Sequence, residues 1–372
     1  MDVADDLAWM RAALTLARRG LGNVWPNPAV GCVIVRDGVV VGRGWTQPGG
    51  RPHAETEALA RAGEKARGAT AYVTLEPCCH WGRTPPCTDA MIAAGVARAV
   101  IAMRDPDPRV NGEGASRLRA AGIAVTEGVA EAEALALNQG FVSRIRAGRP
   151  MVTLKLAATL DGRIAAAGGE SRWITGDPSR RLAHMLRATH DAILVGAGTA
   201  TADDPALTVR LPGVVPPGRH GPVRVVADGR LRLPLTSVLV ATARETPTWI
   251  LTLPGNDQGR IGALAEAGCT VIVVPADKGT GQPDMAEGLR TLGARGITRL
   301  LVEGGGTIAA SLLAAGLVDR VAWFGAPAVL GADAVPAVGA LALPGIGAMP
   351  RFRRVALDEP GGDVLLHLVR EE

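Results

Sequence analysis

The sequence predicts two α/β domains in tandem, and three observations carry that reading. The chain has 372 residues, too long for one ordinary domain and about right for two. Short apolar runs of strand length alternate with segments of helical period along almost its whole length, the pattern of layered α/β architecture. Between two such stretches, Arg146-Ala-Gly-Arg-Pro150 is a turn-rich break, which sets the expected domains at 1–148 and 149–372. No internal repeat is visible, so the two halves read as different domains.

In the first half, residues 6 to 18 have helical period, with Leu7, Met10, Leu14 and Ala17 on one face. Residues 30 to 35 and 39 to 41 are strands around Asp37-Gly38, a strong hairpin signal. Residues 53 to 66 form a helix that ends by Gly68. A strand at 72–75, a helix at 88–94, a strand at 99–103, a helix at 113–121, a strand at 123–125 and a helix at 131–145 complete this half. In the second half, a strand at 152–156 and a helix at 179–188 precede strands at 192–195, 223–227, 249–253 and 270–274. A strand at 300–302 runs into Glu303-Gly-Gly-Gly306 and a helix through Leu313. Strands at 320–324 and 364–369 follow, and residues 211 to 221 are a Pro/Gly-rich surface loop.

Composition excludes some function classes. Apolar residues make up 47% of the chain but aromatics only 3%, so Val, Leu, Ile and Ala must fill the cores. Forty basic against 36 acidic residues leave a net charge of +4. Only Lys65, Lys155 and Lys278 are lysines, which reads as a bias toward Arg spread over the chain. A nucleic-acid surface would need clustered cations with stacking aromatics, and Tyr72 is the one tyrosine. Small phosphorylated substrates suit this charge equally well. Five cysteines, an odd number in a long chain, speak against a disulfide framework and for metal binding in a reducing compartment. The N-terminal stretch carries Asp2, Asp5 and Asp6 and no apolar signal core. The longest apolar candidate, residues 334 to 349, is broken by Pro336 and Pro344. The sequence therefore predicts a soluble, cytoplasmic protein without a membrane span.

The densest chemistry lies in His53-Ala-Glu55, Pro77-Cys78 and Cys87. One imidazole and two thiolates leave a coordination position open, the catalytic rather than the structural arrangement of zinc. Cys87 opens a helix, whose N-terminus favours thiolate. Zinc lowers the pKa of a bound water to roughly 7, and Glu55 is placed to take its proton and deliver it to leaving ammonia. Zinc nucleobase deaminases have the signature H-x-E…P-C-x-x-C. Here eight residues, not two, separate Cys78 from Cys87, so by spacing alone Cys79 or His80 competes as a ligand. The plain alternative is a structural zinc with a fourth ligand, which would leave Glu55 without a role. Cys79 otherwise reads as a packed thiol. Asn27, fixed between Pro26 and Pro28, offers a rigid amide for a pyrimidine edge, or else an Asx turn. His80 and Arg83 lie in the loop between the two cysteines, where a substrate phosphate is within reach.

The second half has no G-x-G-x-x-G, so a Rossmann fingerprint is absent. Gly304-Gly-Gly-Thr307, between a strand and a helix, allows close backbone approach to a pyrophosphate, although glycine runs at strand ends are often mere turns. Lys155 follows an apolar run and suits developing charge on ribose oxygens; the alternative is a snorkelling surface lysine. Arg187 and Arg210 suit a phosphate, or else the surface. Trp173 could equally be core. His184, His190, His220 and His367 match no motif and read as structural.

Taken together, several segments resemble one family. They are residues 26 to 35, His53-Ala-Glu55, Thr74-Leu-Glu-Pro-Cys78, Gly82-Arg-Thr-Pro-Pro-Cys87 and Arg104-Asp-Pro-Asp-Pro108. In the second half they are residues 154 to 162, 171 to 175, 198 to 205, 207 to 210 and 302 to 305. The chain resembles the bifunctional pyrimidine deaminase/reductases of riboflavin biosynthesis over nearly its whole length, and the eight-residue cysteine gap is typical of them. The resemblance implies an N-terminal cytidine-deaminase-like three-layer domain and a C-terminal dihydrofolate-reductase-like domain. It implies a zinc site at His53, Cys78 and Cys87 with Glu55 catalytic. The implied reactions are deamination of 2,5-diamino-6-ribosylamino-4(3H)-pyrimidinone 5′-phosphate, then NADPH-dependent reduction of its ribosyl side chain to ribityl. By family position Ala157, Trp173, Thr199, Asp203 and the loop Gly305, Gly306, Thr307, Ile308, Ala309 should contact NADP. Ser171, Arg187, Leu207, Arg210 and Glu303 should contact substrate, with Lys155 catalytic. Departures are Asp107, where the family often has Asn, and Asn111, where it has a small residue. Two readings compete: a deaminase acting on nucleic acid, which scattered charge disfavours, and a structural zinc module beside a nucleotide-binding half. Oligomerisation is compatible with the sequence but not derivable from it.

Overall fold

The computed structural model describes residues 3–216 and 221–371. The chain divides into two compact units, Met1–Gly148 and Arg149–Glu372. His220 and part of the loop at 211–221 lie outside the described residues.

In the first unit the elements run α1 Val3–Ala17, β1 Gly31–Arg36, β2 Val39–Trp45, α2 Ala54–Ala62, β3 Thr70–Val73, α3 Cys87–Ala93, β4 Arg98–Ile101, α4 Glu113–Ala120, β5 Ala124–Glu127 and α5 Glu131–Ala147. The five strands form one sheet in the order β2-β1-β3-β4-β5. β1 pairs antiparallel with β2 and β3, whereas β3, β4 and β5 run parallel. Three glycine contacts show why the unit has three layers. A Cβ on Gly31 would overlap the Ala13 carbonyl of α1, and one on Gly42 or Gly44 would overlap the Ala58 or Ala54 carbonyl of α2. Gly44 pairs with Cys32, the neighbour of Gly31, and successive residues of a strand point to opposite faces. The two helices therefore press on opposite faces of the sheet, each brought close by the absence of a side chain. Met10, Ala13, Leu14 and Ala17 of α1 are buried with Val33, Ile34, Val35, Tyr72 and Val100, so the face read from helical period is the packed one.

The helix expected at 53–66 is shorter, because residues 63–66 tighten into a 3-10 turn. Gly63 there has φ +53, a conformation that glycine adopts without a Cβ penalty.

The second unit runs β6 Met151–Thr159, β7 Arg163–Ala165, α6 Asp177–Ala188, β8 Ala192–Gly196, α7 Ala197–Asp203, β9 Val223–Ala227, α8 Val238–Ala241, β10 Thr248–Thr252, α9 Gln258–Glu266, β11 Thr270–Val273, α10 Met285–Ala294, β12 Arg299–Val302, α11 Gly306–Ala314, β13 Arg320–Ala326, β14 Val335–Pro336, β15 Phe352–Asp358 and β16 Val364–Arg370. Among the described residues nine strands make one sheet, ordered β11-β10-β9-β8-β12-β6-β13-β16-β15. It is parallel from β11 to β13 and antiparallel at β13/β16 and β16/β15. Central strands β8 and β12 are buried along their length, as parallel strands covered on both faces must be. Parallel strands bring their carboxyl ends to one edge, where open α/β sheets bind ligands. Lys155 lies inside β6 rather than after a strand.

Candidate functional site

In the first unit the loop after β3 and the starts of α2 and α3 meet. His53 is the extended residue just before α2, and Cys87 is the first residue of α3. Cys78 follows the end of β3, and its carbonyl accepts the Thr88 backbone N–H at 3.2 Å. His53 Nδ1 lies 3.3 Å from Cys87 Sγ and 3.7 Å from Cys78 Sγ. All three donor atoms lie within 4.8 Å of one another. Ligands at ordinary Zn–S and Zn–N lengths on a tetrahedron stand about 3.6 Å apart, so the trio fits zinc. Cys79 and His80 are not in the cluster: the Cys79 thiol donates instead to the Arg109 carbonyl at 3.7 Å.

The sulfur of Cys78 accepts the Cys87 backbone N–H at 3.3 Å. Cys87 and then His53, by donating to it, hold the Cys78 thiol down to about 4, in the thiolate form that a metal requires. Glu55, the second residue of α2, is 3% exposed, and burial pushes its carboxyl up. Both face a cavity of about 440 Å³ that Asn27, His80 and Arg83 also line. The Asn27 backbone N–H donates to the Val24 carbonyl at 3.0 Å, and two residues on, Asn138 of α5 pairs with both backbone groups of Ala29 at 3.0 Å. A Cβ on Gly50 would overlap the Asn27 amide, so only glycine lets the loop close on it.

Sequence reasoning missed several lining residues. Arg51 donates to Thr84 Oγ1 at 2.5 Å across the cavity rim, and Arg144 comes from α5. Glu76 is 3% exposed and accepts the backbone N–H groups of Asp105, Gly112 and Ala115 at 3.2, 2.9 and 3.0 Å. It ties the segment that carries Cys78 to the loop at 105–112. Its only sequence signal was a carboxylate at the apolar end of a strand, two residues before a ligand cysteine.

In the second unit a cavity of about 540 Å³ is lined by Lys155, Ala157, Ser171, Trp173, Arg187, Thr199, Asp203, Leu207, Arg210 and Glu303. The sequence had named these as site residues; Ile164, Arg172, Thr175, Arg180, Asp204 and Thr208, also on the wall, it had not. Arg187 donates bidentately to Glu303 at 2.5 and 2.7 Å and to the Thr208 carbonyl at 2.9 Å. Lys155 is half-buried, and burial lowers its pKa against the opposing pull of Glu303. Trp173 is 65% exposed, which removes the core alternative, and Arg180 lies over its ring at 4.4 Å. Gly305 sits beside Thr199, but neither it nor Gly306, Thr307, Ile308 or Ala309 is on the cavity wall. Ile308 packs on Gly196, and Ala309 is fully buried.

His184 does more than the sequence indicated. It accepts the Arg210 backbone N–H at 3.3 Å and lines a shallow hollow beside the cavity with Arg180 and Arg181. His190 is core, between the Leu186 carbonyl and Thr153, and His367 pairs with Asp358.

Residues 3–103 match the family of the cytidine and deoxycytidylate deaminase zinc-binding region, and residues 150–366 match the RibD C-terminal domain family. Fold and site together define a zinc-binding deaminase domain followed by a reductase domain. Similar full-length proteins include the riboflavin biosynthesis protein RibD of Escherichia coli, 45% identical over 98% of this chain and 99% of that one. RibD of Aquifex aeolicus is 42% identical over 98% of each chain. Among solved structures, Acinetobacter baumannii RibD covers 100% of both chains at 39% identity and a TM-score of 0.89. The Thermotoga maritima diaminohydroxyphosphoribosylaminopyrimidine deaminase/5-amino-6-(5-phosphoribosylamino)uracil reductase covers 99% of both at 34% identity and a TM-score of 0.84. The chain belongs to the RibD family, the bifunctional deaminase/reductases of riboflavin biosynthesis. Among the described residues no helix is long and apolar enough to cross a membrane.

Proposed function

We propose that the first unit deaminates 2,5-diamino-6-ribosylamino-4(3H)-pyrimidinone 5′-phosphate and that the second then reduces the ribosyl side chain of the product to ribityl with NADPH. The observation that carries this reading is the convergence of His53, Cys78 and Cys87 within 4.8 Å at a cavity that Glu55 shares. His53, Cys78 and Cys87 would hold zinc, which would supply a water of pKa roughly 7. Glu55 takes the proton of the attacking water and delivers it to the departing amine; a carboxyl raised by burial is suited to both transfers. Asn27 orients the pyrimidine edge, and His80 and Arg83, at the cavity rim, receive the phosphate.

In the second unit NADPH supplies the hydride. Ala157, Trp173, Thr199 and Asp203 on the cavity wall, with Gly305 beside Thr199, would hold it, and Ser171, Arg187, Leu207, Arg210 and Glu303 would hold the substrate. Lys155, beside Glu303 and with its pKa lowered by burial, hydrogen-bonds the ribose oxygen and stabilises the charge that develops there. Free Cys32, Cys78, Cys79, Cys87 and Cys269 support a cytoplasmic, reducing location.

The test gives purified protein the diaminopyrimidine phosphate with and without NADPH. Ammonia should appear in both cases, and NADPH should be consumed only after deamination. NADPH oxidation without ammonia release would overturn the order of the two steps.

A further inference from the structure

The loop at 105–112 presents an unusual concentration of carboxylates to the deaminase cavity. Glu76, Asp105 and Asp107 all line it. They are chained through the backbone: the Asp105 N–H donates to Glu76 at 3.2 Å, and the Asp107 N–H donates to Asp105 Oδ1 at 2.9 Å. Glu55 adds a fourth acidic group to the same cavity. Burial, and then the neighbouring Asp107 and Glu76 carboxylates, push Asp105 up to about 7, so this wall already resists further negative charge. This loop is a poor host for a phosphate, although Arg51, Arg83 and Arg144 line the cavity from other segments.

Arg109 is the cation built into it. Its Nε and Nη2 donate to both oxygens of Asp107 at 3.0, 3.1 and 2.5 Å, and its backbone N–H donates to Oδ1 at 3.0 Å. The Asp107 side chain is only 13% exposed, whereas that of Arg109 is 70% exposed. The carboxylate is therefore held in place while the guanidinium stands at the cavity face. The Arg109 carbonyl also accepts the Cys79 thiol at 3.7 Å, which ties the pair to the loop between the zinc-ligating cysteines.

We infer that Arg109 is a positioning residue of the deaminase cavity: by binding Asp107 bidentately it neutralises that carboxylate, and this lets the acidic side of the cavity admit a phosphorylated pyrimidine. The inference rests on the deaminase reading above and adds to it a residue that acts through Asp107. A like charge at a binding face chiefly weakens association, so the effect belongs in KM and not in kcat.

The experiment uses the full chain loaded with zinc and compares wild type, Arg109→Gln and the double variant Arg109→Gln/Asp107→Asn. Ammonia release is followed against concentration for the diaminopyrimidine substrate with and without its 5′-phosphate. Zinc content and NADPH oxidation on the deaminated phosphate verify folding. Arg109→Gln should raise KM for the phosphorylated substrate roughly three- to tenfold, with kcat within about twofold, the scale of one partly exposed charge. The rise should be smaller without the phosphate, and the double variant should bring KM back to within about twofold of wild type, since both charges of the pair are then gone. An unchanged KM, an equal rise for both substrates, or no recovery in the double variant would overturn the role of Arg109 alone. A wild-type chain that releases no ammonia would overturn the deaminase reading and this inference together.

Discussion

Glu55 and Lys155 are each a buried or half-buried ionisable group whose pKa moves toward neutrality, which is what proton transfer and charge stabilisation near pH 7 require. Glu55→Gln should keep zinc at wild-type stoichiometry while ammonia release falls by roughly 10²–10⁴. Reduction of the deaminated substrate by the same preparation should be unchanged. Deamination that survives the substitution would remove Glu55 from the mechanism. Lys155→Met should do the reverse, with NADPH oxidation reduced by about 10²-fold or more and ammonia release intact. His53, Glu55, Cys78 and Cys87 could be read in the sequence because ligand chemistry is tied to short motifs. Glu76, Asp105, Arg51 and Arg144 could not. They reach the same cavity from four separate parts of the chain; Glu76 and Asp105 lie inside motifs that carried the resemblance, but no local signal gave either a role at the cavity.

At the scale of the element, segments with strong period were legible and weak ones were not. α7, α9 and α10 escaped notice because Gly198, Gly259, Gly262 and Gly288 lower helix propensity within them. β15 is exposed over nearly its whole length, so no alternation marks it; pairing with β16 is what makes it a strand. The junction of α6 and β6 carries a pH dependence. His190 Nδ1–H donates to the Leu186 carbonyl at 2.6 Å, its Nε2 accepts from the Thr153 hydroxyl at 2.9 Å, and burial depresses its pKa well below the ordinary value. The folded state then excludes a proton that the unfolded chain binds below about pH 6.5. Stability should be unaffected above that pH and should fall below it, by about 1.4 kcal/mol per pH unit for this one group. Urea unfolding of wild type and His190→Gln at pH 7 and pH 5 checks this. The variant should show a shallower loss on acidification, and parallel losses would exclude His190 as the cause.

At the scale of the whole molecule, each half contains its own core and its own site. The buried cluster around Ile34, Tyr72 and Val100 belongs wholly to the first unit, and those around Ile193, Val226 and Phe324 belong to the second. The zinc donors lie only in the first. Removing metal with a chelator should therefore abolish ammonia release while NADPH oxidation on the deaminated phosphate continues, and added zinc should restore the former. A parallel loss of both activities would show that metal also supports the reductase unit. By itself the sequence determined the α/β class and the His53, Cys78 and Cys87 zinc motif, because hydrophobic period and ligand motifs are local in the chain. Only the tertiary structure decided that Cys79 and His80 stand outside the metal cluster, that Trp173 is exposed and that Lys155 faces Glu303. It alone made one charged wall of Glu76, Asp105, Asp107 and Arg109. Burial and pairing set those outcomes, and both depend on which distant segments the fold brings together.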